Sequence, residues 1–143
     1  MTVIPGRVAL VTGANKGIGY HIAAQLIASG VFSRVVLGCR DLERGRTAAR
    51  ELGGTEMVDV VKVDVADLES CAACPKTIES RYGRLEVLVN NAGLAFKAAD
   101  PTPFEGQTGP TLQVRCTPYM RSAARACSPR AARGRRTTTA RSR

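Results

Sequence analysis

The sequence contains no tryptophan, a single histidine and few aromatic residues, which make up 4% of the chain. A single histidine excludes the HExxH motif of metalloproteases, and no GxSxG stretch marks a serine hydrolase. His21 itself has no evident acidic or nucleophilic neighbour that would make it a catalytic base, so we expect a partly exposed helix residue. The sequence therefore offers no support for a hydrolase.

Long apolar runs are also missing. Stretches such as Val8–Val11 and Val35–Leu37 are far shorter than the roughly 20 residues that a membrane span needs. The N-terminus lacks the basic segment, apolar run and cleavage site of a secretory signal. We therefore expect no membrane association and a cytoplasmic location.

Cysteine occurs five times, an odd count without regular spacing, which argues against a disulfide-stapled secreted domain. Cys71 and Cys74 form one CxxC pair. With no second pair and one histidine, this pair cannot supply the four ligands of a zinc site. We expect no metal, and interpret the pair as two small side chains on a helix.

Charge divides the chain near Val114. Residues 1–114 contain twelve Lys and Arg and all twelve Asp and Glu, whereas residues 115–143 contain nine arginines and no Lys, Asp or Glu. The later segment has no apolar periodicity and too few large apolar groups to offset the entropy of ordering. We predict a folded unit over 1–114 and a disordered Arg-rich basic tail over 115–143.

Apolar runs alternate with amphipathic segments along the folded unit. Short continuous apolar runs are typical of parallel strands buried on both faces, and spacings of three and four residues are typical of helices. The predicted strands are Arg7–Thr12, Arg34–Gly38, Val58–Val63 and Leu85–Val89, and the predicted helices run from Gly19, over Leu42–Leu52 and over about Leu68–Tyr82. The alternation predicts an α/β fold with a doubly wound parallel sheet of about four βα units.

Between the first strand and the first helix, Thr12–Gly19 has the sequence TGANKGIG, with its glycines in a GxxxGxG spacing. Glycines at this position let the backbone turn tightly and approach a pyrophosphate, while the free amides and dipole of the helix N-terminus favour the anion. The pattern alone is weak. Its place after an apolar strand and before an amphipathic helix predicts a dinucleotide site.

Two motifs and one longer segment carry a family resemblance. TGxxxGxG at Thr12–Gly19 and NNAG at Asn90–Gly93 are similar to two signatures of the short-chain dehydrogenase family, and AFKAADPTPF at Ala95–Phe104 resembles its NADPH-dependent carbonyl reductases. The resemblance covers residues 7 to about 114. It implies an incomplete Rossmann-like sheet, NADP(H) as the cofactor, and hydride transfer to a small ketone or aldehyde substrate.

The resemblance also implies which residues hold the cofactor. Asp64 and the backbone of Val65 correspond to the adenine contact, with an acid stabilised by the following helix dipole as the alternative for Asp64. Asn90 and Asn91 correspond to residues that tie the fourth strand and contact the nicotinamide ribose, and Asn90 also fits a buried amide bonded to neighbouring backbone. The full predicted set is Thr12, Gly13, Asn15, Lys16, Gly17, Ile18, Gly19, Arg40, Asp64, Val65, Asn90, Asn91, Ala92 and Gly93.

Charge at the end of the second strand distinguishes the two dinucleotides. About 20 residues after the glycine turn, NAD enzymes place an acid that bonds the ribose hydroxyl and repels a 2′-phosphate. Cys39 and Arg40 stand there instead, and Lys16 adds a second positive charge. An arginine fork can grip a phosphate, so we predict NADP(H). The alternative is a solvated Arg40 that pairs with Asp41 or Glu43.

The catalytic pair that the resemblance implies is missing from these residues. The family uses a tyrosine that protonates the forming alkoxide, a lysine four positions later and a serine. The fourth residue after Tyr20, Tyr82 and Tyr119 is alanine, glutamate and alanine, respectively. We therefore expect no catalytic residues and a truncated or frame-shifted chain, inactive alone, whose residues from about Arg115 come from another frame or a retained intron.

Three descriptions of the chain remain open at this point. It is an incomplete carbonyl reductase, a catalytically dead nucleotide-binding module, or a weak nucleic-acid binder that uses its arginine tail. The tail matches no base-reading motif, so we expect nucleic acid not to be the partner. A fourth strand without a neighbour leaves an apolar edge, and we expect association through it.

Overall fold

The computed structural model describes residues 6–54 and 56–93. These residues alternate strictly between strand and helix. The elements are β1 (Val8–Thr12), α1 (Gly17–Ala28), β2 (Arg34–Cys39), α2 (Leu42–Glu51), β3 (Val58–Lys62), α3 (Leu68–Tyr82) and β4 (Val87–Val89). Every predicted strand and helix is present. The predicted boundary at 114, the Arg-rich tail and the segment Ala95–Phe104 lie outside the described residues.

Four element boundaries, in β1, β2, α2 and β3, differ from the prediction by one residue, and the starts of α1 and β4 differ by two for local reasons. Helix α1 begins at Gly17 rather than at Gly19, because Gly17 takes a φ of +59° and turns the chain into the helix. Strand β4 begins at Val87 rather than at Leu85. Leu85 is buried in the apolar core, and Glu86 already donates its backbone N–H to the Val8 carbonyl at 3.0 Å.

The four strands form one parallel sheet in the order β3-β2-β1-β4. Strand β1 is central, and its register pairs Val8 with Arg34 of β2 and Ala9 with Val87 of β4. The chain moves outward from β1 to β3 and then returns to the other side of β1. Such a change of direction opens a crevice at the carboxyl ends of β1 and β4. The predicted doubly wound α/β fold is confirmed.

Successive residues of β1 face two separate apolar cores. The core that contains Ala9 packs α1 and α2 against one face of the sheet, and the core that contains Leu10 packs α3 against the other. Strand β1 is buried throughout, as β2 is after Arg34, in agreement with helices on both faces. Within the described ranges, no helix is both long and apolar enough to span a bilayer.

Candidate functional site

The predicted site residues gather at one edge of the sheet. The glycine turn follows β1, Arg40 follows β2, Asp64 and Val65 follow β3, and Asn90–Gly93 follows β4. Because all four strands are parallel, their carboxyl ends meet at the same edge. The topology therefore brings together residues that are far apart in the chain.

The glycine turn is held close to β2 and β4. Gly13, at φ +67°, donates its N–H to the Gly38 carbonyl at 2.7 Å. A Cβ at Gly19 would lie 2.4 Å from Nδ2 of Asn91 and 2.5 Å from the Gly13 carbonyl oxygen. A Cβ at Gly17 would meet nothing within 4 Å, so Gly17 is needed only for its φ of +59°. Gly19 is thus a packing glycine and Gly17 a conformational one.

Helix α1 begins without a capping side chain. Its N-cap residue is Lys16, which is extended and makes no side-chain cap hydrogen bond. The amides of Gly17, Ile18 and Gly19 have no acceptor within the helix, since the first turn of any α-helix lacks one. Ile18 is 76% exposed beside these amides. The start of α1 therefore offers free donors, the positive end of the helix dipole and an apolar side chain at one place.

A hydrogen-bonded latch joins the glycine turn to the end of β4. The Thr12 hydroxyl, 1% exposed, accepts the backbone N–H groups of Asn91 and Ala92, each at 3.0 Å, and donates to the Val89 carbonyl at 3.3 Å. The Asn91 side-chain amide donates to the Thr12 carbonyl at 3.0 Å and to the Gly13 carbonyl at 3.4 Å. These bonds fix β4 against β1 at the site.

The two adjacent asparagines have different surroundings. Asn90 is exposed, and Asn91 is half-buried and bonded to the backbone of the glycine turn. The interpretation of Asn90 as the buried amide is therefore wrong, and Asn91 has that role. The motif could not distinguish them, because one step along a strand end reverses the direction in which a side chain points.

Two cations at the site have no ion-pair partner among the described side chains. Lys16 and Arg40 are both exposed, and neither forms an ion pair with any side chain in residues 6–54 or 56–93. The pairing considered for Arg40 is not observed, because Asp41 pairs with Arg44 at 3.4 Å and Glu43 pairs with Arg46. Positive charge at this edge is left unneutralised by the described side chains.

Asp64 is held in a tight turn after β3. Its Oδ1 accepts the Ala66 N–H at 3.0 Å, and its own N–H donates to the Ser70 hydroxyl at 2.9 Å. The cap of α3 is Asp67, whose carboxylate accepts the Glu69 N–H at 2.9 Å. The cap hydrogen bond at the start of α3 is thus made by Asp67 rather than by Asp64. Val65 is half-buried against the core beneath α3.

Cys39 is a site residue whose contribution sequence reasoning missed. The sequence indicates only that Cys39, unlike an acid, does not repel a phosphate. Its side chain is 1% exposed and lies in the same apolar core as Ala14 of the glycine turn. Burial raises the pKa of this thiol to about 11, although the backbone amides of Ala14 and Asn15 act in the opposite direction. Its place just before Arg40 was the only signal in the sequence.

A groove of about 850 Å³ lies elsewhere, along the outer edge of β3 between α2 and α3. None of the predicted site residues lines it. It contains Asp59, whose carboxylate accepts the Tyr82 hydroxyl, and burial together with this bond raises the pKa of Tyr82 to about 12.

In the described part of the chain, no group of three His, Cys, Asp or Glu side chains could hold a metal ion. The chemistry-bearing residues remain at the carboxyl edge.

Known proteins match this chain over most of its length. The family model for short chain dehydrogenases matches residues 7–131. "Carbonyl reductase [NADPH] 1" of Homo sapiens is 46% identical over 110 residues, and "Carbonyl reductase [NADPH] 3" of Mus musculus is 47% identical over 110 residues. Each alignment covers 76% of this chain and 39% of the relative. The chain therefore spans about 39% of the length of these curated relatives.

Solved structures agree with the fold and with the sequence match. A metagenomic short-chain oxidoreductase in complex with NADP superposes with a TM-score of 0.71 at 32% identity, over 85% of this chain and 56% of that one. An F189W actinorhodin polyketide ketoreductase with NADPH has a TM-score of 0.73 at 31% identity, over 88% and 50%. With the family model matched over residues 7–131, the chain belongs to the short-chain dehydrogenase family.

Proposed function

We propose that this chain binds NADP(H) at the carboxyl edge of its sheet, as the cofactor-binding half of a carbonyl reductase. The observation that carries the proposal is the uncapped start of α1 beneath the glycine turn, with Lys16 and Arg40 unpaired among the described side chains. The match to NADPH-named carbonyl reductases supports the same cofactor. The reaction of the whole enzyme would be hydride transfer to a ketone or aldehyde.

The pyrophosphate fits the start of α1. A Cβ at Gly13 would lie 3.0 Å from the Ala92 Cα, and one at Gly19 would be closer still to Asn91, so the turn has no room for side chains on its inner side. The outer side carries the free amides of Gly17 and Ile18. Amide donors and the helix dipole suit a group with two negative charges that accepts several hydrogen bonds.

The 2′-phosphate fits Arg40 and Lys16. Arg40 follows β2 directly, at the position where an acid would exclude that phosphate, and Lys16 lies in the turn that contacts the same end of the sheet. Neither cation is neutralised by a described side chain, so neither must give up an ion pair on binding. Charge-assisted bonds to phosphate are stronger than bonds between neutral groups.

The remaining contacts follow from the strand ends. We assign Asp64 and the Val65 backbone to the adenine ring, because they lie at the end of β3, beyond β2 and Arg40. We assign Asn90–Gly93 to the ribose on the nicotinamide side, since β4 lies on the other side of β1. Asn90 is exposed and available for that contact, whereas the Asn91 amide is already bonded to the turn. The bound dinucleotide would supply the hydride.

Binding is tested by titrating the full chain with NADPH and with NADH, alongside the Arg40→Asp variant. We expect the parent to prefer NADPH, and the variant to lose about tenfold or more in NADPH affinity, the size expected for a charged hydrogen bond. NADH affinity is expected to hold or to rise, because an aspartate at this position can accept a hydrogen bond from the ribose 2′-hydroxyl. Arg46→Asp is the matched control, because Arg46 is also exposed and pairs with Glu43 away from the site.

Two outcomes would overturn this assignment. Equal affinities of the parent for the two dinucleotides would remove the argument from charge. An Arg40→Asp variant that behaves like Arg46→Asp would mean that the phosphate is held elsewhere.

We further propose that these 143 residues bind cofactor without reducing carbonyls by themselves. None of the three tyrosines is followed four positions later by lysine, so the proton donor of the reaction and its partner are not among them. This favours the binding-module description as the second candidate. We expect NADPH oxidation by the purified chain, with and without a ketone or aldehyde, to stay at the buffer rate. Carbonyl-dependent oxidation that co-purifies with the chain would contradict this.

A further inference from the structure

The outer edge of β3 carries backbone groups that β2 does not use. Within the described sheet, β3 pairs only with β2. The Val35 N–H of β2 donates to the Met57 carbonyl at 2.8 Å, and the Val63 N–H donates to the Cys39 carbonyl of β2 at 3.0 Å. Alternate residues of a parallel strand bond to the same neighbour, so the residues in between face outward. The outward N–H and C=O groups are those of Val58, Val60 and Lys62.

The middle one of these outward donors is already covered. Oδ1 of Asp59 accepts the Val60 N–H at 2.7 Å. Oδ2 of the same carboxylate accepts the Tyr82 hydroxyl and also a guanidinium N–H of Arg81 at 3.5 Å, and both of these residues lie in the last turn of α3. Two groups of α3 therefore hold the carboxylate over the edge. The outward amides on either side of Val60 have no acceptor among the described residues.

The groove along this edge has opposite charges at its two ends. Both flanking helices begin at the carboxyl end of the groove with an acid in the first turn, and finish with an arginine in the last. Within the lining are two ion pairs, Glu43–Arg46 and Asp59–Arg81. The lining charges outside these pairs are Asp67, Glu69 and Lys62 at the carboxyl end, and Arg50 at the amino end. One end therefore keeps a net negative charge and the other a net positive charge.

A second copy of this chain matches that arrangement. Because the charges of the groove cancel as a whole, it suits a partner with the same two unlike ends better than a polyanion. A two-fold axis through Val60, perpendicular to the sheet, sets two β3 strands antiparallel and places the negative end of each groove against the positive end of the other. In this register Val60 faces Val60 of the second copy, and Val58 faces Lys62 of the second copy. Every outward group then has a partner except the donor that Asp59 covers.

We propose that the outer edge of β3 is a self-association surface that the Asp59 carboxylate keeps closed: when the carboxylate leaves the Val60 N–H, two copies of the chain pair their β3 strands antiparallel about Val60. An uncovered edge strand is a template for pairing with another chain, and charged side chains on the edge are one way in which proteins prevent this. The inference does not depend on the proposed cofactor, and its experiments need no ligand.

The cover is tested by amide hydrogen exchange on the full chain at low concentration. We expect the Val60 amide of the parent to be protected about fivefold or more relative to the Lys62 amide, since only the Val60 amide has an acceptor. Tyr82→Phe removes one of the two groups that hold the carboxylate and is expected to narrow this difference. Equal protection of the two amides in the parent would overturn the cover, even if no Asp59 variant folds.

Self-association is tested by sedimentation equilibrium of the same proteins. We expect Asp59→Ala to dimerise about tenfold or more tightly than the parent, because each dimer gains two backbone hydrogen bonds at Val60. Glu51→Ala is the matched control: it also removes an acid at the amino end of the groove, but Glu51 is exposed and does not line the groove. Equal dissociation constants for the two variants would contradict the proposal. If Asp59→Ala does not fold, Tyr82→Phe decides, with a smaller increase expected and no increase counting against the proposal.

Lys62→Pro shows whether the dimer uses β3. The Lys62 N–H points outward, so proline removes two of the bonds between the copies without removing a bond to β2. We expect Asp59→Ala combined with Lys62→Pro to return to the dissociation constant of the parent. In Asp59→Ala alone, we expect the Lys62 amide to become protected only at concentrations at which the dimer forms. A dimer that survives the proline, or that leaves this amide unprotected, would mean that the chain associates through a different surface.

Discussion

Three helices begin at the carboxyl edge of the sheet, and they differ in whether a side chain accepts the N–H groups of the first turn. Asp41 accepts two amide N–H groups at the start of α2, at 3.0 and 3.2 Å, and Asp67 accepts one at the start of α3, at 2.9 Å. The start of α1 has Lys16, whose ammonium has no acceptor for an amide. Two helices thus bond amides of their first turn through the side chain of the N-cap residue, whereas the N-cap residue of α1 makes no such bond and carries a positive charge, as the proposed anion site requires.

The largest effect on stability and on NADPH affinity is expected when a side chain is added to the glycine turn at the start of α1. In Gly19→Ala the new Cβ would lie 2.5 Å from the Gly13 carbonyl oxygen and 2.4 Å from the Asn91 amide nitrogen, so the turn must move. We expect the free energy of unfolding to fall by about 2–3 kcal/mol, the usual size of overpacking, and NADPH affinity to be lost. Urea denaturation and titration measure the two effects.

Gly17→Ala provides the comparison for Gly19→Ala. A Cβ at Gly17 meets nothing within 4 Å, so only the strain of its φ of +59° is expected. That strain costs about 1 kcal/mol. Equal losses of stability in the two variants would mean that close contact with Asn91 does not shape the turn.

The second test gives α1 a cap like those of the other two helices. In Lys16→Asp the carboxylate can accept the first amides, so we expect unfolding to cost about 0.5–1 kcal/mol more. We expect the same change to lower NADPH affinity by about tenfold or more, because it removes a cation and fills the donors. Unfolding and titration experiments on one protein preparation check both.

Asp67→Ala is the control for Lys16→Asp. It opens the start of α3, with an expected loss of about 1 kcal/mol in the free energy of unfolding and no change in NADPH affinity. If Lys16→Asp kept the NADPH affinity of the parent, the absence of a side-chain cap at the start of α1 would have no role in cofactor binding.

The smallest effect is expected on stability at alkaline pH, where the buried thiols of Cys39 and Cys74 can be compared. Burial raises the pKa of Cys39 from 9.0 to about 11 and that of Cys74 to about 12, and only Cys39 has turn amides that oppose the rise. Each thiol ionises more easily when unfolded, so its contribution to stability is complete below pH 9 and declines as the pH rises through the folded pKa.

Thermal or urea unfolding across that pH range gives the measurement. We expect stability to fall between pH 9 and 12, and Cys74→Ala to reduce the fall more than Cys39→Ala does, because Cys74 has the larger shift. A larger effect from Cys39→Ala would mean that the amides of the glycine turn do not act on its sulfur.

The sequence predicted the glycine turn more fully than it predicted the roles of the two asparagines after β4. The GxxxGxG spacing is local, and its position between an apolar strand and a helix predicted both the turn and the helix start to within two residues. NNAG predicted that Asn90 and Asn91 belong to the site but assigned the buried amide to Asn90. Which side chain turns inward depends on how β4 pairs with β1, and that is a long-range property.

Arg40 and Cys39 illustrate a second limit. Charge alone identified Arg40, but two acidic neighbours, Asp41 and Glu43, left a salt bridge open as the alternative. Only the helix geometry of α2 assigned those acids to Arg44 and Arg46, three residues along from each. The burial of Cys39 in one core with Ala14 had no local signal, because Ala14 lies 25 residues earlier in the chain.

Local pattern alone determined the alternation of strands and helices, the glycine turn and the charge at the end of β2, since each depends on residues within one or two turns of one another. Tertiary structure decided which face each helix covers, that Asn91 rather than Asn90 bonds to the glycine turn, and that Cys39 packs in one core with Ala14 of that turn. These contacts join strands that are distant in sequence. Their hydrogen bonds form only when β1 pairs with β2 and β4 in the native register of the parallel sheet.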